Sequence, residues 1–234
     1  MAELQPLECS KCDKLVACRK NIVRGVGNPH AKILLIKDGI NEDEDRQGKI
    51  FVGDYSNWLL SMYLHAANKP ELDALRKKSA KGVSVNYRAI REYFLEEVFL
   101  TSPVLCRGIL TQGDDAGKYR VPATTEINNC REHLHNLIYQ VDPWIIVAFG
   151  KYSLAALTRK PPKVNHNGAP ESMIHVEITG ETMPVVYPVI PSYDLEIAML
   201  RGDHDAKESV SLKTFNALAS AFEIVGRMNG RGTA

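Results

Sequence analysis

Two groups of residues in this chain have types and spacing that could do chemistry. Cys9 and Cys12 form a Cys-x-x-Cys pair, and two single cysteines follow at Cys106 and Cys130. A close thiolate pair plus two remote thiolates is a ligand set for one metal centre closed by folding. It would tie the N-terminal segment to the middle of the domain. It is not a redox dithiol motif, which would sit at the turn between a strand and a helix. On the cysteines alone, a structural zinc site is a fair reading. Cys18 brings the total to five, an odd number that argues against a full disulfide framework. The second group is the segment Lys37-Asp38-Gly39-Ile40-Asn41 with the acidic run Glu42 to Asp45 and then Phe51-Val52-Gly53. An acidic run is ordinarily a solvated surface. This one follows an apolar run, and loops at the carboxyl ends of strands are where open α/β sheets build their sites.

The elements that must position these residues are legible as buried strands. Ala31–Ile36, Glu97–Thr101 and Trp144–Phe149 are near-continuous apolar runs, as expected when helices cover both faces of a sheet, and Met183–Pro188 is a fourth strand. Helical patterns fall between and after them, at Asn57–His65, Tyr87–Leu95, Thr125–Gln140, Ser153–Thr158 and Lys207–Met228. Strand and helix alternate, which predicts an α/β fold, a three-layer α/β/α sandwich around a central four-stranded parallel sheet. The 234 residues, 44% hydrophobic and 24% charged, suit one domain over 1–234 with the Cys-x-x-Cys segment packed onto it. No apolar run approaches the roughly 20 residues of a membrane span, and the N-terminus lacks a signal peptide's basic and apolar regions. A cytoplasmic monomer with reduced thiols is the expectation. The net charge of +1 leaves any nucleic-acid face to a local patch. One candidate is the basic stretch 68–91, with Arg76, Lys77, Lys78, Lys81, Arg88 and Arg91. His166 reads as a loop residue.

The loop after the first strand resembles that of the family-4 uracil-DNA glycosylases, the iron–sulfur branch of their superfamily. Their stretch reads approximately I-G-E-A-P-G-x-x-E-D-x-x-G-x-P-F-V-G, and Glu44, Asp45, Gly48, Phe51, Val52 and Gly53 match it in register. The opening Cys9-x-x-Cys12 with Leu15 and Arg19 is similar to the family's, with one extra residue before the Leu. Thr101 with Cys106-Arg107 resembles T-N-x-x-x-C-R. Arg120, Pro122, Glu126, Ile127 and Cys130 fit R-x-P-x-x-x-E-I-x-x-C. Pro143, Ile145, Ile146, Val147, Ala148 and Gly150 fit P-x-x-I-V-A-L-G. Pro191-Ser192-Tyr193 and a displaced Arg201 resemble the closing H-P-S-Y-L-L-R. The likeness runs from about residue 9 to 201, and 68–91 is where this chain is longer.

The resemblance implies a uracil-DNA-glycosylase-like fold, DNA as partner, and a [4Fe-4S] cluster on Cys9, Cys12, Cys106 and Cys130. It implies that Phe51 stacks on an extruded base. Ser192, Tyr193, Leu195, Arg201 and Arg120 would contact DNA, with Tyr193 and Leu195 filling the vacated stack. The departures cluster where the base would be read. The family's Gly, Glu, Ala, Pro and Gly become Lys37, Asp38, Gly39, Ile40 and Asn41; its Asn becomes Ser102; its His becomes Ile190. A serine hydroxyl cannot donate and accept on a pyrimidine edge as an amide does. Isoleucine cannot support charge on a departing base, a loss of roughly 10²–10³ in rate. Asp38 keeps a carboxylate and is the expected catalytic group, with Lys37 assisting. Gly39, Ile40, Asn41, Phe51, Ser102 and Ile190 form the expected base pocket. The expected activity is hydrolysis of the N-glycosidic bond of a flipped, modified pyrimidine other than uracil, such as a hypermodified phage cytosine, in base excision or phage defence. Alternatives are a silent iron–sulfur DNA-binding module and a weak uracil-DNA glycosylase.

Overall fold

A computed structural model describes residues 4–67, 69–113, 116–158, 173–179, 183–200 and 209–231. In chain order the elements are α1 (Asp13–Val16), β1 (Val26–Gly27), β2 (Ile33–Ile36), α2 (Glu42–Gln47) and α3 (Asp54–Ala66). A 3₁₀ turn at Pro70–Leu72 leads to α4 (Asp73–Ala80), α5 (Tyr87–Glu97), β3 (Val98–Thr101), α6 (Thr124–Val141), β4 (Ile145–Phe149) and α7 (Lys151–Leu157). The chain ends with β5 (Ile174–Thr179), β6 (Pro184–Ser192), α8 (Leu195–Leu200) and α9 (Val210–Arg231).

The sheet order is β1-β3-β2-β4-β6-β5. The four expected strands form its parallel centre, with Ile33 opposite Val98 on one side and Ile145 on the other, and Ile146 opposite Val189. Two short antiparallel strands flank them, β1 on β3 and β5 on β6, so the sheet has six strands rather than four. The sequence hid both. Val26–Gly27 is too short to show a period, and Ile174–Thr179 is half exposed with alternating burial, unlike the continuous apolar runs at the centre.

Alternate residues of each central strand face opposite layers. Leu35, Leu100, Val147 and Ile190 meet α3, α5, α8 and α9, while Leu34, Phe99, Ile146 and Val189 meet α1, α6 and α7. Parallel strands put β2, β3, β4 and β6 carboxyl ends on one edge, where the loops beginning at Lys37, Ser102, Gly150 and Tyr193 emerge. The 68–91 stretch is anchored by Arg76, whose guanidinium donates to the carbonyls of Leu64, Ala67 and Lys69 at the end of α3. Lys77, Lys78, Lys81 and Arg88 are left exposed. Among the described residues, no helix is long and apolar enough to cross a membrane.

Candidate functional site

Asp38 follows β2 and is 8% exposed. Its Oδ1 accepts the backbone N–H of Ser153 at 2.7 Å. The approach is possible because Gly150, at φ +88°, has no side chain; a Cβ there would run into the Asp38 carboxylate. Burial pushes the Asp38 carboxyl up to about 7, and the charge of Asp194 adds to the rise, against the backbone donors of Ser153 and Tyr152. Asp38 lines a cavity of about 570 Å³ whose walls include Lys37, Gly39, Ile40, Asn41, Tyr119, Tyr152, Asp194 and Glu196. This is the composition of an acid–base site: one titratable carboxyl near neutrality beside aromatic surface.

Lys37 points away from solvent. Its Nζ is 2.6 Å from Glu44 Oε2 and 3.6 Å from Glu196 Oε1, and lies 4.3 Å from the centre of the Tyr55 ring. Glu44 is fully buried and also accepts from the Asn41 and Phe51 backbone N–H groups and from the Tyr55 hydroxyl, at 3.0, 3.0 and 2.6 Å. Four donors on one carboxylate are enough to offset its desolvation. The buried Lys37 is thus placed to hold Glu44, and no DNA phosphate reaches it in this arrangement. Asn41 caps α2: its Oδ1 accepts from the Glu44 N–H at 2.9 Å, and its Nδ2 donates to Glu196 at 3.1 Å. The Asn41-x-x-Glu44 spacing was a legible capping signal; its amide is spent on the loop.

Of the other expected pocket residues, Phe51, Ser102 and Ile190 lie apart from the cavity, while Gly39 and Ile40 line it. Phe51 is fully buried at φ +67°. Its ring centre is 5.0 Å from Phe94, and the Arg91 guanidinium stands 4.3 Å over it while donating to the Phe51 carbonyl at 2.7 Å. No face of the ring is open to a base. Ser102 is buried with its hydroxyl on the Val104 carbonyl at 3.1 Å, and Ile190 is in the core beside Val147. Gly39 faces the Tyr119 hydroxyl, and a Cβ at Gly39 would collide with it. Ile40 bridges cavity wall and core.

Two expected DNA contacts are corrected by burial, and a third residue is engaged in an ion pair. Leu195 is fully enclosed between α3, α9 and the sheet, because the chain turns inward to start α8, so it does not protrude as a wedge. Ser192 is fully buried at the end of β6, and its hydroxyl has no hydrogen-bond partner among the described residues. Arg120 is held bidentate by Glu126, at 2.8 and 2.5 Å, and braces the start of α6. Tyr193 is half-buried. Arg201 and His166 lie outside the described residues.

The four cysteines gather beside α6. Cys12 precedes α1, Cys106 follows β3, and Cys130 projects from α6. Arg19 donates to Cys106 Sγ at 3.0 Å and to the Cys9 carbonyl at 2.6 Å, and Asn129 donates to Cys12 Sγ at 3.4 Å. Burial pushes the Cys130 thiol up to about 12, and the charges of Cys106, Cys9 and Cys12 push it further. Cys106 is raised by burial and by Cys9 and Cys12 as well. The four sulfurs therefore share one electrostatic neighbourhood. Among the described residues, no three His, Cys, Asp or Glu side chains close on a point tightly enough to ligate a single metal ion. Cys18 hangs on the Arg107 carbonyl at 3.6 Å.

Residues missed from sequence are Tyr119, Tyr152, Asp194 and Glu196, all on the cavity wall. Asp194 directly follows the Pro191-Ser192-Tyr193 motif and so had a positional signal. Tyr119 had none, since only the folded Gly108–Arg120 hairpin brings it over Gly39.

The sheet, the Asp38 loop and the cysteine neighbourhood define a uracil-DNA-glycosylase type of domain. A profile described as the uracil DNA glycosylase superfamily matches residues 24–207, and the chain belongs to that superfamily. Within it, the chain is similar to enzymes named type-4 uracil-DNA glycosylase. It is 31% identical over 153 residues to that of Saccharolobus solfataricus, covering 65% of this chain and 56% of the relative. It is 29% identical over 147 residues to that of Sulfurisphaera tokodaii, covering 63% and 52%. It is 26% identical over 147 residues to that of Archaeoglobus fulgidus, covering 63% and 57%. The match spans a little over half the length of each relative.

Proposed function

We propose that the protein is a DNA glycosylase that hydrolyses the N-glycosidic bond of a flipped-out base, a modified pyrimidine other than uracil, and leaves an abasic site. The observation that carries this is the buried Asp38 carboxyl at the carboxyl end of β2, raised to about 7 beside a 570 Å³ cavity. Bond cleavage leaves the electron pair on the base and builds positive charge on the sugar. Ionised Asp38 stabilises that charge and takes a proton from the water that attacks the sugar carbon. Flipping brings the bond to the cavity, because a stacked nucleotide cannot reach a buried carboxylate.

Preference for a base other than uracil is supported by what fills the family's reading positions. Lys37 replaces a glycine and packs on Tyr55 and Glu44, the two side chains that hold the Phe51 backbone. Ser102 and Ile190 are closed into the interior. A uracil held by a side-chain amide and an imidazole has neither here, and such losses cost several orders of magnitude in selection. A hypermodified cytosine, as in phage DNA, has the bulk to use a cavity of about 570 Å³.

Cys9, Cys12, Cys106 and Cys130 would hold a [4Fe-4S] cluster. Four thiols brought together beside one helix, one buried and three half-buried, are the donor set of a cube that takes one thiolate at each corner. When bound, the cluster supplies a covalent brace. Arg19 and Asn129 orient its sulfur donors.

Incubation with DNAs of several base compositions, including phage DNAs with altered cytosines, tests the reading. Mass spectrometry of the supernatant should find one liberated modified pyrimidine, with alkali-labile sites left in the DNA. Release of no base from any DNA refutes it.

A further inference from the structure

We propose that Tyr119, carried on the Gly108–Arg120 hairpin, is the aromatic residue that covers the extruded base in the Asp38 cavity, in the place expected for Phe51. The inference rests on the glycosylase reading above and names a specificity-determining residue for it. A base removed from the duplex loses its stacking and needs an aromatic face to replace it. Phe51 offers none, since Phe94, Tyr55 and Arg91 enclose its ring. The contact chain from the cavity wall to Phe51 runs through Lys37 and Glu44, which stand as a closed ion pair between them.

Tyr119 is on the cavity wall and 45% exposed, so its ring is reachable. The hairpin that carries it is well tied. Leu110 N–H donates to the Lys118 carbonyl at 2.9 Å and Arg120 N–H to the Gly108 carbonyl at 3.0 Å. The Arg120–Glu126 pair fixes its base to α6. The Arg120 side chain packs close over Gly108, 3.2 Å from where a Cβ would be. Two departures from the family pattern then form one change. Lys37 in place of glycine stands with Glu44 between the cavity wall and Phe51, and Gly39 in place of alanine leaves the room that the Tyr119 hydroxyl occupies. That hydroxyl is kept protonated by burial and by the carboxylates of Asp38, Asp194 and Glu196. It is therefore a hydrogen-bond donor near the carboxylates of the wall, which also carries Arg107 and Lys118.

Single-turnover release is measured on the DNA from which the wild-type protein liberates a base, with thermal melting as the folding control. Tyr119→Ala should slow release about 10- to 100-fold, the range for loss of one base–aromatic stack. Tyr119→Phe should recover most of the rate. Gly39→Ala should reproduce the loss by displacing the ring, and should add nothing in the Tyr119→Ala background. Wild-type release with Tyr119→Ala at the wild-type rate overturns the inference and leaves the glycosylase reading standing. Additive losses from Gly39→Ala and Tyr119→Ala overturn it too. No release by the wild-type protein from any DNA overturns both.

Discussion

Asp38→Asn should make the folded protein more stable at neutral pH while abolishing base release. The carboxyl rises from an ordinary 3.8 to about 7 on folding, chiefly through burial. The folded state therefore binds the Asp38 proton more tightly than the unfolded chain does. Stability is undiminished below about pH 4, falls as pH rises through the interval, and the whole cost is present above about 7. That rise corresponds to about 4 kcal/mol at most, at about 1.4 kcal/mol per pH unit. Asparagine keeps an oxygen for the Ser153 N–H but has no charge to desolvate. The variant should gain up to about 4 kcal/mol at pH 8 and less than half of that at pH 5. At about 2–4 °C per kcal/mol for a chain of this size, Tm at pH 8 should rise by at most about 8–16 °C. Thermal melts of both proteins at pH 5, 6, 7 and 8 make the measurement, with base release assayed on the same samples. A gain that is absent at pH 8, or equal at pH 5 and pH 8, would refute the buried-carboxyl argument. Full release by the variant would remove Asp38 from the chemistry.

The same carboxyl sets the pH profile of release. If Asp38 acts ionised, the rate should rise about tenfold per pH unit below about 7 and level off above it; a flat rate from pH 5.5 to 8 would sink that role. The purified protein should be brown and contain iron and acid-labile sulfide, and Cys106→Ser should lose both. Arg19→Ala, which removes donors from Cys106 Sγ and the Cys9 carbonyl, should weaken iron retention against a chelator about 10- to 100-fold; unchanged retention would assign Arg19 to packing alone. Arg120→Ala should cost about 1.5–3 kcal/mol in denaturant melts, since it breaks a bidentate charged pair that is mostly out of solvent. Lysine at 120 should recover only part, because it cannot make the two-pronged contact.

What the sequence showed and what it hid follow from how far each signal reaches. The four central strands were visible because burial on both faces forces continuous apolar runs such as Ile33–Ile36 and Ile145–Phe149. Asp38 was visible because the strand ended just before it, at the edge where sites form. The fates of Lys37 and Phe51 were not visible, because they depend on contacts between residues far apart along the chain. Phe51 is closed off by Phe94 and Arg91 from α5 and by Tyr55 from α3. Arg120 and Leu195 were misread for a related reason. Motif position fixes where a residue leaves the backbone, whereas Glu126 and the α3–α9 layer decide where its side chain ends.

The departures therefore make one physical unit rather than scattered decay. A lysine introduced at 37 into an apolar interior would cost several kcal/mol if left unpaired. Glu44 was already in place in the family's Glu-Asp pair to receive it, and Tyr55 offers its ring to the same ammonium. The pair stands between the cavity wall and Phe51, where the Glu44 carboxylate also holds the Phe51 N–H. The proposed chemistry uses the outer cavity, where Asp38 faces Gly150 and the aromatic surface is tyrosine. A chain drifting away from catalysis would have no reason to keep a carboxylate buried at an energetic cost of this size. Position 38 carries aspartate where the family pattern has glutamate, and a carboxylate buried there at this cost is what the proposed glycosylase reading requires.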